Sequence, residues 1–419
     1  MRGAVLAVGD ELLLGDVVNT NAAWLGQQLA AAGVEVVASA MVGDDVTRLA
    51  TALRRSLADA DVVLLSGGLG PTSDDITREA VAMAAGVQLQ RQPALEDQLR
   101  ERFASYGVQL PAEVLKQADV PVGAEVLDNP LGSAPGLWLT VSGTVVVALP
   151  GPPFELQATA APVMARLAEL SGTVVTTRTI HAAGLGESAV AQRVEGATTV
   201  PEGVALAYLA GGGLVRVRFT TSGDPAVLAP LVAAVDEALG DAVWGHDSDT
   251  QDGVVHRLLA AAGQTVAVTE SLTGGLLGAA LSRRPGSSTT FRGGLVVYAT
   301  DLKHSLAGVP TELLESDGAV AASTAGLLAA GARSRLRADW GVGITGVAGP
   351  TEQEGKPVGT VHVAVAGPSG TVSRALRVPG DRERVRLLAV AAALDLLRRA
   401  LTGKPSAPGA VVLTTDGSG

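Results

Sequence analysis

Two stretches of this chain place chemically active side chains directly behind strand-like runs. The first, "LLSGGLGPTSDDITREA" (64–80), leaves an apolar run through three glycines, a Thr-Ser pair and two adjacent aspartates. Gly67, Gly68 and Gly70 carry no Cβ, so backbone N–H groups there can approach an anion closely. The helix start that follows adds the positive end of its dipole. Asp74 and Asp75 would repel that anion unless a divalent cation lay between, and oxygen ligands suit Mg²⁺ or a similar hard ion. The same residues also fit a tight turn in which Asp75 caps a helix beginning near Ile76. Composition alone does not separate these readings. No GK[ST] follows, so the loop is not a Walker A motif.

The second stretch begins at "VAVTESLTGGLLGAALS" (266–282), again strand, small polar turn and helix. "RPGSSTTF" (284–291) sets Ser287 and Ser288 in a glycine turn, and "GGLVVYATDLKHSLAGV" (293–309) puts Tyr298 at a strand end with Lys303 on the next helix. "VGITGVAGP" (342–350) and "VPGDRERV" (378–385) complete the set. Cysteine is absent, and His181, His246, His256, His304 and His362 show no metal-ligand spacing. Hydrolysis here would therefore use serine activated by lysine, because a lysine sheltered from water loses its charge more easily and can accept the hydroxyl proton. Each residue also has a plainer reading, favoured when it is taken singly. Ser271 would cap a helix, Ser287 and Ser288 fit any loop, Lys303 fits an exposed helix face, and Arg382 would pair with neighbouring carboxylates.

The elements that must hold these groups follow from the hydrophobic pattern. "GAVLAVG" (3–9) and "DVVLLSG" (61–67) are continuous apolar runs, as in parallel strands covered on both faces. Helical stretches lie between them, one of them 20–33 with Thr20 or Asn19 as its N-cap. Strands alternating with such helices predict a doubly wound α/β sheet. A helical stretch is expected from about Thr77 to Tyr106, then a hairpin within 136–156 leading into another helix. Residues 171–248 alternate like half-exposed strands around one helix and read as a small α+β module. Residues 249–402 read as a second α/β domain, and 403–419, rich in Pro, Gly and Ser, as a flexible tail.

A chain of 419 residues suits two or three domains. Its net charge of −11 and 3% aromatic content argue against a nucleic-acid surface, which needs cations for phosphates and rings for bases. No run approaches the ~20 apolar residues of a membrane span, and residues 1–30 carry no secretory signal pattern. The absence of cysteine suits a cytoplasmic protein.

Four motifs in order, "GDELLLGDVVNTN", "SGGLGPTSDDITREA", "NPLGSAPG" (129–136) and "LPGPPFEL" (149–156), resemble the MoaB/MogA-like molybdopterin-binding fold in the longer form of the competence/damage-inducible CinA family. That resemblance covers 1–170 and implies a metal-dependent ADP-ribose pyrophosphatase. Gly67, Gly68, Gly70 and Thr72 would hold the diphosphate, and Asp75, with Asp74 and Glu11, the cation. The middle module is similar to a KH fold, although its loops lack the basic flanks that RNA binding needs, so it reads as a spacer or dimer contact. The last domain resembles the CinA deamidase domain and stand-alone nicotinamide mononucleotide (NMN) deamidases. It implies cofactor-free hydrolysis of NMN to nicotinic acid mononucleotide and ammonia. On that resemblance Ser288 is the preferred nucleophile, Lys303 and Tyr298 handle the proton, and Ser271 with nearby N–H groups receives the oxyanion. Thr345 and Arg382 would bind the ribose phosphate, with Thr273, Gly274, Ser287 and Gly346 completing the pocket. Spacing leaves open whether Ser288 or Ser271 attacks. The family also implies a homodimer. Two other readings stand beside these: an amino-terminal half that binds a pterin or nucleotide without turnover, and a scaffold for DNA-uptake partners.

Overall fold

The computed structural model describes residues 1–404 and the backbone of Ala410–Leu413. The chain forms two compact units, Met1–Thr176 together with Thr221–Asp224, and Thr177–Thr220 together with the chain from Pro225. Among the described residues no helix is long and apolar enough to cross a membrane.

The first unit is built on a sheet of six strands. In spatial order they are Glu35–Val42, Arg2–Val8, Val62–Ser66, Thr144–Leu149, Gly136–Val141 and Glu125–Leu127. The first four run parallel, and the last two are each added antiparallel to the preceding neighbour. Val62–Ser66 is buried throughout, as its unbroken apolar run requires when both faces are covered. Leu49, Leu53 and Val81 pack on one face. Leu25, Leu29, Leu156 and Val163 pack on the other, which gives three layers. The chain passes from Arg2–Val8 to a strand on one side and then crosses to Val62–Ser66 on the other. That reversal opens a crevice at the strands' carboxyl ends, where ligands of such sheets sit. The helical stretch expected over 77–106 is two helices, Thr77–Ala85 and Pro93–Ser105. Gly86 ends the first with φ 71°, and Pro93 opens the second with its φ already set.

The second unit contains both the middle module and the carboxy-terminal domain. The module is a four-stranded sheet in the order Val204–Gly211, Leu214–Thr221, Thr176–Ala183, Val243–His246. Helices Glu187–Ala197 and Leu228–Leu239 cover it through Val190, Val194, Leu231 and Val235. Arg398 donates to the Asp241 carbonyl at 2.9 Å, and Ala183, Trp244 and Val254 form a shared apolar cluster, so module and domain are packed together.

The carboxy-terminal sheet runs Phe291–Val296, Val266–Glu270, Trp340–Gly346, Thr360–Gly367, Gly370–Arg377 and Ala410–Leu413. The first three strands are parallel, and the rest are added antiparallel. Helix Ala322–Arg335 covers one face, and Gln251–Ala262 and Arg382–Leu401 cover the other. Of the stretch expected as a flexible tail, Ala410–Leu413 pairs with Gly370–Arg377, while 405–409 and 414–419 lie outside the described residues.

Candidate active site

Ser271 follows the central strand Val266–Glu270 without a gap, at the sheet's carboxyl edge. Its N–H donates to the Ile344 carbonyl at 3.0 Å, which fixes the turn against the neighbouring strand. Glu270, 1% exposed, then holds the loop from below. Its carboxylate accepts from the N–H groups of Gly275 (3.0 Å), Leu277 (3.0 Å) and Gly278 (2.7 Å) at the start of helix Leu276–Ser282. A carboxylate in that position is stabilised by both the donors and the helix dipole. From the other side Arg386 donates to the carbonyls of Leu272 (3.2 Å) and Thr273 (3.1 Å). The loop is thus tied by its N–H groups to an anion and by its carbonyls to a cation. Neither Glu270 nor Arg386 was singled out from the sequence. The signal for Glu270 was a lone charge closing an apolar strand.

Lys303 is on the short helix Thr300–Ser305 and is 2% exposed, so it does not occupy a solvated helix face. Its ammonium donates to Ser271 Oγ at 3.2 Å and to the carbonyl oxygens of Val297 (3.0 Å) and Tyr298 (3.5 Å). Burial pushes its pKa below the ordinary lysine value, opposed by the charges of Glu354 and Asp301. The N–H groups of Leu272 and Thr273 have no acceptor among the described residues, and neither does the buried Thr273 hydroxyl. A hydroxyl, a poised amine and free amide donors therefore meet at one point, the parts needed for attack on a carbonyl and for holding the resulting oxyanion.

Other expected residues fall around this point or away from it. Thr345, fully buried, gives its hydroxyl to the Ala319 carbonyl at 2.6 Å and so supports the edge beside Ser271. Gly346 is pressed against the next strand, where an added Cβ would lie 2.6 Å from the Thr360 carbonyl. Gly274 makes the turn after Ser271, with φ 59° and its N–H on the Ser271 carbonyl at 3.0 Å. Among the described residues Arg382 pairs with no carboxylate. It donates to the Gly349 carbonyl at 2.6 Å and to the Tyr298 hydroxyl. The Tyr298 side chain is 54% exposed and turned to that arginine, and only its backbone carbonyl touches Lys303.

Ser288, the preferred nucleophile from the resemblance, is not at this site. It lies with Ser287 on the turn Ser287–Thr289 that precedes strand Phe291–Val296, and it is exposed. Val266 N–H reaches the Thr290 carbonyl at 2.8 Å, whereas Val297 N–H reaches the Glu270 carbonyl at 2.8 Å. The register therefore sets the 287–289 turn at the amino edge of the sheet and Lys303 at the carboxyl edge. The two edges are roughly 15–20 Å apart at about 3.3 Å per residue, beyond any side chain's reach. The hydroxyl that Lys303 reaches is that of Ser271, and Ser287 is removed from the pocket for the same reason as Ser288.

In the first unit, the Gly67–Asp75 loop leaves strand Val62–Ser66 at the crevice. Gly67 and Gly68 have φ 103° and 67°, a backbone closed to most side chains. The four motifs meet here. Asn21 donates to Ser66 Oγ (2.9 Å) and the Gly151 carbonyl (2.7 Å), and Asn129 donates to Glu155 (2.7 Å). Beneath the loop the buried Arg78 donates to the carbonyls of Leu69 (2.6 Å) and Gly70 (2.7 Å). Lys116 donates to those of Thr72 (2.9 Å) and Asp75 (2.7 Å). Sequence reading missed both cations. Gly68 and Leu69 N–H groups have no acceptor among the described residues.

Asp75 neither caps the helix at Ile76 nor faces outward as a free ligand. Its carboxylate accepts from Gly70 N–H (2.7 Å), Thr72 N–H (2.8 Å) and Thr72 Oγ (2.6 Å), and it folds the loop on itself. Asp74 and Glu11 are exposed. Among the described residues no three acidic or histidine side chains converge as a metal site. The residues present do not make a cage for the divalent cation expected from the resemblance.

A glycine-loop α/β unit, a small α+β module and an α/β domain with a serine–lysine couple at its sheet edge define a three-module α/β protein. Matches to family models fall on the same divisions. They are the probable molybdopterin binding domain over 4–169, the damage-inducible protein CinA KH domain over 177–245 and the CinA C-terminal domain over 248–401. The chain belongs to the CinA family. It is 48% identical over 435 residues to a CinA-like protein of Frankia casuarinae, covering 100% of both chains. It is 39% identical to a CinA-like protein of Solibacter usitatus, covering 96% of this chain and 99% of that one. A crystal structure of the protein CinA from Thermoplasma acidophilum matches at 35% identity, covering 40% of this chain and 99% of that chain, with a TM-score of 0.38.

Proposed function

We propose that the carboxy-terminal domain is a serine–lysine amidohydrolase that converts the carboxamide of NMN to a carboxylate and releases ammonia. The observation that carries the reading is the buried 3.2 Å contact between Lys303 Nζ and Ser271 Oγ. Neutral Lys303 takes the Ser271 proton as Oγ attacks the carboxamide carbon. The oxyanion is received by the Leu272 and Thr273 N–H groups. Lys303 then returns the proton to the departing nitrogen, and ammonia leaves an ester on Ser271. A water, deprotonated by the same amine, hydrolyses that ester and restores the serine. Arg382 stands beside the site with its guanidinium set by Gly349 and Tyr298 and would take the ribose phosphate. The test is ammonia release from NMN by the full chain and by its Ser271→Ala variant. Undiminished release by the variant would sink the reading.

For the amino-terminal unit we infer a seat for the diphosphate of a nucleotide such as ADP-ribose on the Gly67–Thr72 loop. The unpaired Gly68 and Leu69 N–H groups support it, with Arg78 and Lys116 binding the loop's carbonyls. Because Asp75 is committed to the loop's own donors, the reading stops at binding. Calorimetry with ADP-ribose, with and without a chelator, measures both the binding and its dependence on a cation.

A further inference from the structure

Between the middle module and the carboxy-terminal domain, both in the second unit, is a cavity of ≈170 Å³. Its floor is one stripe of helix Arg382–Leu401: Leu388, Ala391, Ala392 and Asp395, whose spacing of three and four residues sets them on a single face. Arg374 and Leu376 of strand Gly370–Arg377 form a second wall, since alternate residues share one side of a strand. The module closes the cavity with Ala183, Gly184 and Leu214. The seam is tight there. A Cβ added at Gly213 would lie 2.5 Å from Leu388 Cδ2, and one at Gly184 3.7 Å from Arg374 Nη2. The volume equals that of roughly six waters at ~30 Å³ each, room for one small ring and too little for a nucleotide.

The charges around the cavity are unevenly matched. Asp395, 2% exposed, is already engaged: Oδ1 accepts from Arg398 Nη2 at 2.8 Å and Oδ2 from Arg399 Nε at 2.9 Å. Arg374 Nη1 stops 3.8 Å from that carboxylate, beyond hydrogen-bond reach, and among the described residues its guanidinium makes no hydrogen bond. The Arg374 side chain is 14% exposed and lines the cavity, so a ligand there can reach it. Burial holds its pKa below the ordinary arginine value, opposed by Asp395 and furthered by Arg399. Arg377, also on the lining, gives its guanidinium to the Thr360 hydroxyl at 3.1 Å. One carboxylate is thus shared by three guanidiniums, and the one without hydrogen bonds faces the open space.

We propose that this cavity binds a small organic carboxylate, its two oxygens on the Arg374 fork and its apolar body against Leu388, Ala392 and Leu214. A planar guanidinium matches a carboxylate two bonds at a time. The walls beyond it are aliphatic, which favours a carboxylate on a compact apolar body over phosphate, whose charge would leave those walls uncovered. The site shares no residue with either function proposed above.

The test titrates benzoate and isovalerate calorimetrically into the full-length protein beside their neutral amides, benzamide and isovaleramide, with Tm followed in each mixture. At least one carboxylate binds and raises Tm, and its amide binds at least tenfold more weakly. Arg374→Met lowers the affinity for that carboxylate tenfold or more, as loss of a charged bidentate pair requires. Ala392→Leu fills the cavity and removes binding, while Tm of the free protein holds or rises. Failure of both carboxylates to bind, or equal binding of the amide, overturns the proposal, and so does undiminished affinity in either variant. Should Arg374→Met lower Tm of the free protein, Ala392→Leu decides, and the amide comparison on the wild type needs no variant at all. Inorganic phosphate at equal concentration leaves the carboxylate in place. Displacement by phosphate overturns the assignment of the ligand's class.

Discussion

Three variants on NMN hydrolysis, Ser271→Ala, Lys303→Met and Ser288→Ala, test which serine works with the lysine. The geometry sets unequal outcomes. Lys303 Nζ lies 3.2 Å from Ser271 Oγ, within proton-transfer reach, whereas Ser288 is on an exposed turn at the other edge of the sheet. Positioned proton transfer contributes about 10²–10⁴-fold, and loss of the nucleophile as much or more. At about 1.4 kcal/mol per decade, a 10⁴-fold fall in kcat is ~5.5 kcal/mol of transition-state stabilisation. Ser271→Ala and Lys303→Met should each lose at least 10³-fold in kcat, with Ser288→Ala within twofold of wild type. Because serine and lysine act as one unit, the double variant Ser271→Ala/Lys303→Met should be no slower than the slower single variant. Coupled ammonia detection under saturating NMN reads all four rates, and circular dichroism checks that each variant is folded. Additive losses in the double variant would refute a shared proton path. A Ser288→Ala loss as deep as that of Ser271→Ala would refute the placement of the nucleophile.

Three further outcomes follow from the same contacts. Burial depresses the Lys303 pKa from its ordinary 10.5, so the unfolded chain holds the proton more tightly than the folded one. Stability then rises with pH from the folded value up to the unfolded one. Lys303→Met should accordingly be the more stable protein near neutrality, with a gap in urea midpoint that closes as pH approaches 10.5; a gap independent of pH would count against a protonated buried lysine. At Gly70 an added Cβ would meet Asp75 Oδ2 at 2.4 Å, so Gly70→Ala should cost about 1–3 kcal/mol and weaken pyrophosphate binding. Unaltered binding would show that the loop does not hold the anion. Asp395, 2% exposed, accepts from Arg398 at 2.8 Å and Arg399 at 2.9 Å and lies 3.8 Å from Arg374. Asp395→Asn removes the shared counter-charge and should cost about 3–5 kcal/mol, seen as a large drop in Tm.

How far the sequence could be read depended on the range of the interaction concerned. The strands near Val5 and Leu64 and the glycine loop behind the latter were legible because burial on both faces and left-handed turns are written into consecutive residues. The break at Gly86 was written there too, in a glycine followed by Pro93, yet helical periodicity on either side masked it. The choice between Ser271 and Ser288 was of another kind. Each sits in a glycine- or strand-bounded turn, and Ser288 is the nearer of the two to Lys303 in sequence. What separates them is the parallel pairing of Val266–Glu270 with Phe291–Val296, which fixes one serine after a strand and the other before one. In a parallel pair every strand end of the same polarity is gathered on one edge, so a residue's side of the sheet depends on whether it precedes or follows its strand. Asp75 follows the same logic at shorter range. Its neighbours marked a ligand or a cap, and only the loop's closure onto Gly70 and Thr72 reveals that its oxygens are already taken. The groups that hold both loops, Glu270 with Arg386 and Arg78 with Lys116, act on backbone atoms. A backbone amide or carbonyl has no letter in the sequence, so such partners emerge only once the chain has folded.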